Sequence, residues 1–155
     1  MTPRPLVPHY HVGIIVAGLD RAQAELSDQL GVTWGPVLHL EATEVRDGED
    51  RDLELPTTFC YSLEAPHLEL IEEVPGTLWA RNEHSNLHHI GFWSDDLPGA
   101  SAALSGAGCP LQLCGRAGPA APAAWAYHRN RLGVRIEIVD AGFREAMAFL
   151  FQPPT

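Results

Sequence analysis

Hydrophobic and polar positions follow the same pattern in two stretches of the chain, one starting at Tyr10 and the other at His88. The stretches read YHVGIIVAGLDRAQAELSDQLGV and HHIGFWSDDLPGASAALSGAGCP. Each opens with a short apolar run typical of a β-strand, passes through an acidic turn, and continues with apolar residues at helical spacing. A repeat of this kind predicts two copies of one structural unit, each beginning with a strand that is followed by a helix.

The two predicted helices carry their own start and stop signals. Asp20 and Asp96 are placed to cap the amino ends, and Gly31 and either Gly106 or Gly108 are placed to end the helices. The apolar positions at helical spacing are Leu19, Ala22, Leu26 and Leu30 in the first copy, and Leu97, Ala100, Ala103 and Leu104 in the second.

Strand-like segments follow each predicted helix and complete a βαβββ unit. They read TWGPVLHLEATEV, TTFCYSLE and HLELIEEV in the first half, and PLQLC, AWAYHRN and VRIEIVD in the second. The polar segment ARNEHSN separates the halves. We therefore predict an α+β fold with one βαβββ module at residues 9–80 and a second at residues 87–141, together forming one domain.

The segment FREAMAFLF near the carboxyl end has the spacing of an amphipathic helix. It predicts a short C-terminal helix over residues 142–152. We expect Phe143, Met147 and either Leu150 or Phe151 to form its inward face.

Strand parity brings two histidines and two glutamates to one face of the predicted sheet. Alternate residues of a strand point to opposite faces. The positions that we expect to face the helices are Val12, Ile14, Val16, Leu68, Leu70, Ile90, Phe92, Ile136 and Ile138. The inward positions then include His11, Glu69, His89 and Glu137, which the repeat relates in pairs. His88 falls on the helix side or at an edge, and we give it no chemical role.

These inward charges are costly unless they have a partner. An unpaired carboxylate in a half-buried strand loses several kcal/mol of solvation. Taken singly, each of the four residues is more simply a satisfied or exposed side chain, but the repeat joins them into one set. Imidazole nitrogen and carboxylate oxygen suit one divalent ion of Zn, Ni, Co, Mn or Fe. We predict a metal site formed by His11, Glu69, His89 and Glu137.

Composition and charge exclude several classes of partner. The formal net charge of −10 over 155 residues disfavours binding to nucleic acid and to anionic membranes. The three cysteines lack a CxxC spacing, so we expect free thiols rather than disulfides or a cysteine zinc site. The sequence has neither an 18-residue apolar run nor a signal segment, which predicts a cytoplasmic protein.

Four segments together resemble the vicinal oxygen chelate superfamily, which includes glyoxalase I, methylmalonyl-CoA epimerase, extradiol dioxygenases and bleomycin-resistance proteins. The segments are YHVGIIVAGLD, HLELIE, LHHIGFWSDDL and NRLGVRIEIVD, within residues 9–141. The resemblance implies an open eight-stranded mixed barrel, with metal ligands on the first and last strand of each module. It also implies a homodimer. The loop NRLG departs from the Asp-Pro-x-Gly common in the family, although its Gly133 is retained.

The function implied by this resemblance is proton transfer beside a metal-chelated carbonyl of a small oxygenated substrate. The enzyme would be an isomerase, an epimerase or a glyoxalase-type lyase, with Glu69 or Glu137 as the base. The alternative is a non-catalytic protein of the bleomycin-resistance type that sequesters an antibiotic or another small molecule. The net charge of −10 and the four tryptophans fit that alternative as a binder of a cationic or aromatic ligand.

Other residues are weaker candidates for the site. His67 and Arg135 occupy equivalent positions and could contact an anionic substrate, or lie exposed at the rim. Trp93, Tyr61, Trp125 and Tyr127 could line a pocket, or pack in the core. Glu41, Glu44 and Glu54 could supply a second acid or base, or face solvent.

Overall fold

Eight strands and three helices make up residues 8–155, the part of the chain that this computed structural model describes. The elements are β1 (His9–Val16), α1 (Leu19–Leu30), β2 (Leu38–Asp47), β3 (Asp52–Tyr61), β4 (His67–Glu72), β5 (Leu87–Ser94), α2 (Leu97–Gly106), β6 (Leu111–Gly115), β7 (Trp125–Arg129), β8 (Arg135–Asp140) and α3 (Arg144–Met147). Short 3-10 turns at Ala141–Phe143 and Ala148–Phe151 flank α3.

The strands form one mixed barrel in the hydrogen-bonded order β1-β4-β3-β2-β6-β7-β8-β5. The pairs β1–β4 and β5–β8 are parallel, and the others are antiparallel. The α+β fold and the eight-stranded mixed barrel are confirmed. The barrel is closed, where the resemblance implied an open one, because β1 pairs with β5 and β2 pairs with β6.

The apolar residues separate into a helix-facing layer and a barrel interior. Strand residues Ile14, Val16 and Leu70 pack with Leu19 and Leu26 of α1, as the parity argument expects. A second layer joins Leu97 of α2 to Ile136 and Ile138. The interior cluster contains Ile15, Ile71, Trp79 and Tyr127. Ile90 departs from the prediction, since its side chain is 37% exposed and lies outside the α2 layer.

The helix ends agree with the sequence signals except at Asp20. Gly31 ends α1 in the left-handed conformation, with φ of 70°, as predicted. The side chain of Asp96 caps α2 by accepting a hydrogen bond from the Gly99 N–H at 3.0 Å. Asp20 does not cap α1, because Gly18 occupies the cap position and Asp20 is already in the first turn. Its charge there favours the helix amino end through the helix dipole.

The C-terminal segment is helical only in part and closes one side of the barrel. Leu150 is 2% exposed, and Met147 and Phe151 pack with the same buried cluster. Phe143 is 43% exposed and lies at the edge of the same cavity that Met147 and Leu150 line, so it belongs to the inward face only in part.

Candidate metal centre

Four side chains from four strands meet inside the barrel. They are His11 of β1, Glu69 of β4, His89 of β5 and Glu137 of β8, and one potential ligand atom of each lies within 4.8 Å of the others. Strand register explains the meeting, because Glu69 lies beside Gly13 and Glu137 lies beside Gly91. All four side chains are buried, and none of the residues is more than 6% exposed.

The ligand atoms face one another at short distances. The Nε2 atom of His11 is 2.8 Å from Oε2 of Glu137 and 3.3 Å from Oε2 of Glu69. The Nε2 atom of His89 is 3.1 Å from both carboxylate oxygens and 2.7 Å from Nε2 of His11. Both Oε2 atoms are buried, and apart from these histidines they have no hydrogen-bond partner within residues 8–155. Two imidazole nitrogens and two such oxygens form a donor set that fits a divalent metal ion.

The cluster strongly perturbs the pKa values of its own members. Burial lowers the pKa of His11, but the adjoining Glu137 and Glu69 outweigh burial and raise it to about 9. Glu137 and Glu69 also raise the pKa of His89 against the effect of burial. Burial raises the pKa of both glutamates, yet the two histidines outweigh it and lower both values. The carboxylates therefore stay ionised and require a positive charge in the cluster.

Glycine is required opposite each histidine of the cluster. A Cβ atom added to Gly13 would overlap the imidazole of His89, and one added to Gly91 would overlap the imidazole of His11. Each glycine therefore makes room for the histidine of the other half. This cross-packing gives a physical reason for the His-x-Gly pattern that opens both repeats.

His88 lies at an irregularity in the pairing of β5 with β1. Gly13 of β1 lies opposite His89 of β5. The next pair joins Ile14 to Leu87, which leaves His88 as an extra residue in a β-bulge. A bulge redirects a side chain that regular alternation would send to the other face. His88 is only 6% exposed and lies beside His89, so its placement on the helix side or at an edge is wrong.

The ring of His88 links His89 to the backbone. Nε2 of His88 lies 2.8 Å from the carbonyl oxygen of Leu78, which can only accept a hydrogen bond, so His88 donates from Nε2. Burial, then the charges of His89 and Arg135, lowers the pKa of His88 to about 3, which keeps it neutral. Its Nδ1 therefore accepts the N–H of His89 Nδ1 at 2.8 Å. In the neutral ring of His89, this arrangement places the lone pair on Nε2, facing the cluster.

A cavity of about 250 Å³ opens beside the cluster. Glu69 and Glu137 are part of its wall, and Tyr61, Trp125 and Tyr127 line it, as one of the two sequence interpretations proposed. Trp93 lies outside the lining and instead stacks on Tyr10, with ring centroids 4.0 Å apart.

The remaining candidates lie away from the cavity. Glu41, Glu44 and Glu54 are exposed on β2 and β3. His67 contacts the carbonyl oxygen of Ser62 at 2.6 Å, and Arg135 donates to Gln112 at 2.7 Å. All five residues are absent from the cavity lining within residues 8–155.

The three cysteines agree with the sequence prediction of free thiols. Cys60, Cys109 and Cys114 are buried free thiols. No helix within residues 8–155 combines the length and the apolar character needed to cross a membrane.

Three solved structures share the fold at low sequence identity. A methylmalonyl-CoA epimerase from Mycobacterium tuberculosis has a TM-score of 0.62 and 21% identity, over 90% of this chain and 92% of that one. Hypothetical protein BH1468 from Bacillus halodurans C-125 has a TM-score of 0.61 and 15% identity, over 86% and 93%. A mutant of 4-hydroxymandelate synthase from Streptomyces coelicolor has a TM-score of 0.54 and 16% identity, over 89% of this chain and 49% of that one. No curated protein matches the sequence.

A family profile gives the sequence-level assignment. The Glyoxalase/Bleomycin resistance protein/Dioxygenase superfamily matches residues 10–127. The match includes His11, Glu69 and His89 and ends before Glu137. It confirms the resemblance on which the sequence interpretation drew, and divalent metal binding is typical of that superfamily. The chain therefore belongs to the Glyoxalase/Bleomycin resistance protein/Dioxygenase superfamily.

Proposed function

We propose that this chain is a divalent-metal-dependent enzyme that moves a proton on the carbon beside a chelated carbonyl. The observation that carries the proposal is the meeting of two imidazole nitrogens and two carboxylate oxygens within 4.8 Å, at the wall of a cavity. His11, Glu69, His89 and Glu137 would hold the ion. The reaction would be an isomerisation, an epimerisation or a glyoxalase-type lyase reaction, a range that the similarity to methylmalonyl-CoA epimerase supports.

The chain supplies the base and its surroundings. A bound divalent ion would stabilise the negative charge that develops on the carbonyl oxygen when the neighbouring carbon loses its proton. Glu69 or Glu137 would accept that proton, since no other carboxylate within residues 8–155 lines the cavity. The apolar wall around them excludes water, which strengthens electrostatic interactions within the site.

Two tyrosines flank the proposed base. Tyr61 lies opposite Glu69 in the pairing of β3 with β4, and Tyr127 lies opposite Glu137 in the pairing of β7 with β8. Burial, reinforced by the charges of the two glutamates, raises the pKa of both phenols well above the usual value. Both hydroxyls therefore remain protonated, and each would be a hydrogen-bond donor beside the proposed base.

Metal analysis tests the first requirement of the proposal. Chelator-treated protein would be titrated with Zn, Ni, Co, Mn and Fe ions, beside His89→Ala and Glu137→Gln variants. We expect the wild type to bind one equivalent, and His89→Ala to bind much more weakly because a ligand is lost. Wild-type protein that binds no divalent ion at any pH at which it is folded would contradict the proposal.

Deuterium exchange tests the reaction class. The metal-loaded protein would be incubated in D₂O with a panel of hemithioacetals, 2-oxo thioesters and α-hydroxyketones, and exchange beside the carbonyl would be followed by mass spectrometry. Glu69→Gln and Glu137→Gln would each be compared with the exposed control Glu41→Gln. We expect the variant that lacks the base to lose at least about 100-fold in exchange rate, the lower range for general base catalysis.

The aromatic lining of the cavity supports a second candidate, a protein that sequesters a small molecule without reaction. Tyr61, Trp125 and Tyr127 give it flat apolar surfaces of the kind that bind aromatic ligands. This candidate predicts tight ligand binding that persists in EDTA, and no deuterium exchange with any metal. If the chain is instead a metal-dependent enzyme, we expect ligand binding to weaken when the metal is removed.

A further inference from the structure

The cavity beside the cluster has a mainly apolar wall. Among the polar side chains of its lining, the hydroxyls of Thr43 and Thr57 lie 3.0 Å apart and bond to each other. The indole N–H of Trp79 donates to the hydroxyl of Tyr127 at 3.3 Å. The hydroxyls of Tyr10, Tyr61 and Tyr127 also belong to the lining and are uncharged, and the rest of the wall presents aromatic and aliphatic surface to an occupant.

Positive side chains are missing from this wall. The ten basic residues of the sequence are all arginines, and none of them lines the cavity within residues 8–155. Several of them are paired elsewhere: Arg46 with Asp52, Arg81 with Glu73, and Arg116 with Glu44. Among residues 8–155, the charged residues of the lining are Glu69 and Glu137, and a divalent ion would neutralise them.

The mouth of the cavity is also apolar. Leu40, Phe143 and Phe149 line the cavity and are 38%, 43% and 51% exposed. Phe143 and Phe149 come from the C-terminal segment and Leu40 from β2. A ligand that enters therefore meets apolar side chains at the opening as well as inside.

We infer that the substrate of this site is a small uncharged molecule with an apolar body and two adjacent oxygens at one end. This inference rests on the proposed function, which places the oxygens at the cluster, and it adds the chemistry of the remaining body. A carboxylate or phosphate on the body would lose its hydration inside the cavity without a cation to replace it. The volume of about 250 Å³ lies below the roughly 300–1,000 Å³ typical of sites for drug-sized ligands, which favours a small body.

Three hydroxamate probes test the inference, because each offers two adjacent oxygens to a metal ion. Benzohydroxamic acid has an uncharged phenyl body, 4-carboxybenzohydroxamic acid adds a negative charge to it, and acetohydroxamic acid has only a methyl group. Their dissociation constants for the Zn²⁺-loaded chain would be measured by calorimetry. We expect benzohydroxamic acid to bind at least about tenfold more tightly than either of the others. Equal or tighter binding of the carboxylated probe would overturn the inference.

A charge placed in the wall gives the complementary test. Leu40→Arg puts a cation at the lining, and Leu53→Arg puts one at a position of β3 outside the lining with a similar exposure, 40% against 38%. We expect Leu40→Arg to reduce the preference for the uncharged probe by about tenfold, and Leu53→Arg to leave the preference unchanged. If both variants keep the wild-type melting temperature and the wild-type preference for the uncharged probe, the absence of a cation from the wall does not set selectivity. The inference would then be wrong.

Repeating the comparison in EDTA separates this inference from the proposed function. Without metal, the lining still carries no arginine within residues 8–155, so benzohydroxamic acid remains the tighter ligand of the pair. Loss of that preference in both conditions, in a protein that binds metal, would overturn the inference and leave the proposed function standing. Failure to bind metal, with the preference for the uncharged probe retained, would overturn the proposed function and leave the apolar cavity as a binding site.

Discussion

The contact of His88 with His89 distinguishes the two histidines of the proposed metal centre. His89 donates from Nδ1 to a neighbour that is itself fixed by the Leu78 carbonyl, so its tautomer and ring orientation are set before any metal binds. His11 has no such support, because its Nδ1 is buried and has no hydrogen-bond partner within residues 8–155. Supporting hydrogen bonds of this kind orient a ligand and raise its basicity. The two halves of the barrel thus differ at Tyr10 and His88, their equivalent positions.

We expect His88→Ala to weaken metal binding by about 10–100-fold, the usual cost of losing such a supporting partner. The measurement is a competition titration against a chromogenic chelator at fixed pH. His84→Ala is the matched control, because the side chain of His84 is 85% exposed and lies away from the cluster. Equal metal affinity in the two variants, with both folded, would show that His88 does not position His89.

Two β-bulges between β1 and β5 determine which side chains of these strands reach the interior of the barrel. In the pairing of β1 with β5, His9 lies opposite Phe92 and His11 opposite Gly91, which leaves Tyr10 as an extra residue. His88 is the corresponding extra residue of β5. Each bulge lets two consecutive side chains contribute to the interior, and each imidazole then packs over a glycine of the other strand.

The sequence could predict the cluster but not these bulges. His11, Glu69, His89 and Glu137 stand at repeat-related positions, so regular alternation within each strand suffices to direct them to one face. The positions of the extra residues Tyr10 and His88 depend on how β1 pairs with β5. His11 and His89 of these two strands are 78 residues apart. That pairing has no local pattern in the sequence. The alternation of residues along β5 therefore predicted the wrong side for His88. The ligand role of the four residues stays a prediction until a metal is measured.

Gly91→Ala tests the packing of glycine against histidine. The added Cβ would overlap the ring of His11, and overpacking of this kind typically costs about 1–3 kcal/mol. We expect the variant to stay folded with a lower melting temperature and to lose at least about tenfold in metal affinity. Gly106→Ala is the control, since a Cβ there meets no atom within 4 Å and would leave metal affinity unchanged. A wild-type affinity in Gly91→Ala would mean that the ring of His11 is free to move aside.

Closure of the barrel is a property of the whole molecule, and it joins the two halves of the sequence. One junction is the pairing of β1 with β5, and the other is the short pairing of β2 with β6, which has three residue pairs from Val45 to Asp47. Such a short junction has no hydrophobic signature of its own, which is why closure of the barrel could not be predicted from the sequence. Closure depends on contacts between residues far apart in the chain.

A metal ion at the cluster would tie β1, β4, β5 and β8 together, so metal removal should be visible in the stability of the whole domain. Binding only to the folded state, at an ion concentration 100 times the dissociation constant, adds about 2.7 kcal/mol. For a domain of this size, that corresponds to a rise of about 5–10 °C in melting temperature. Calorimetry of the chelator-treated chain with and without Zn²⁺ measures the rise. His89→Ala should show little of it, and an equal rise in that variant would place the stabilising ion elsewhere.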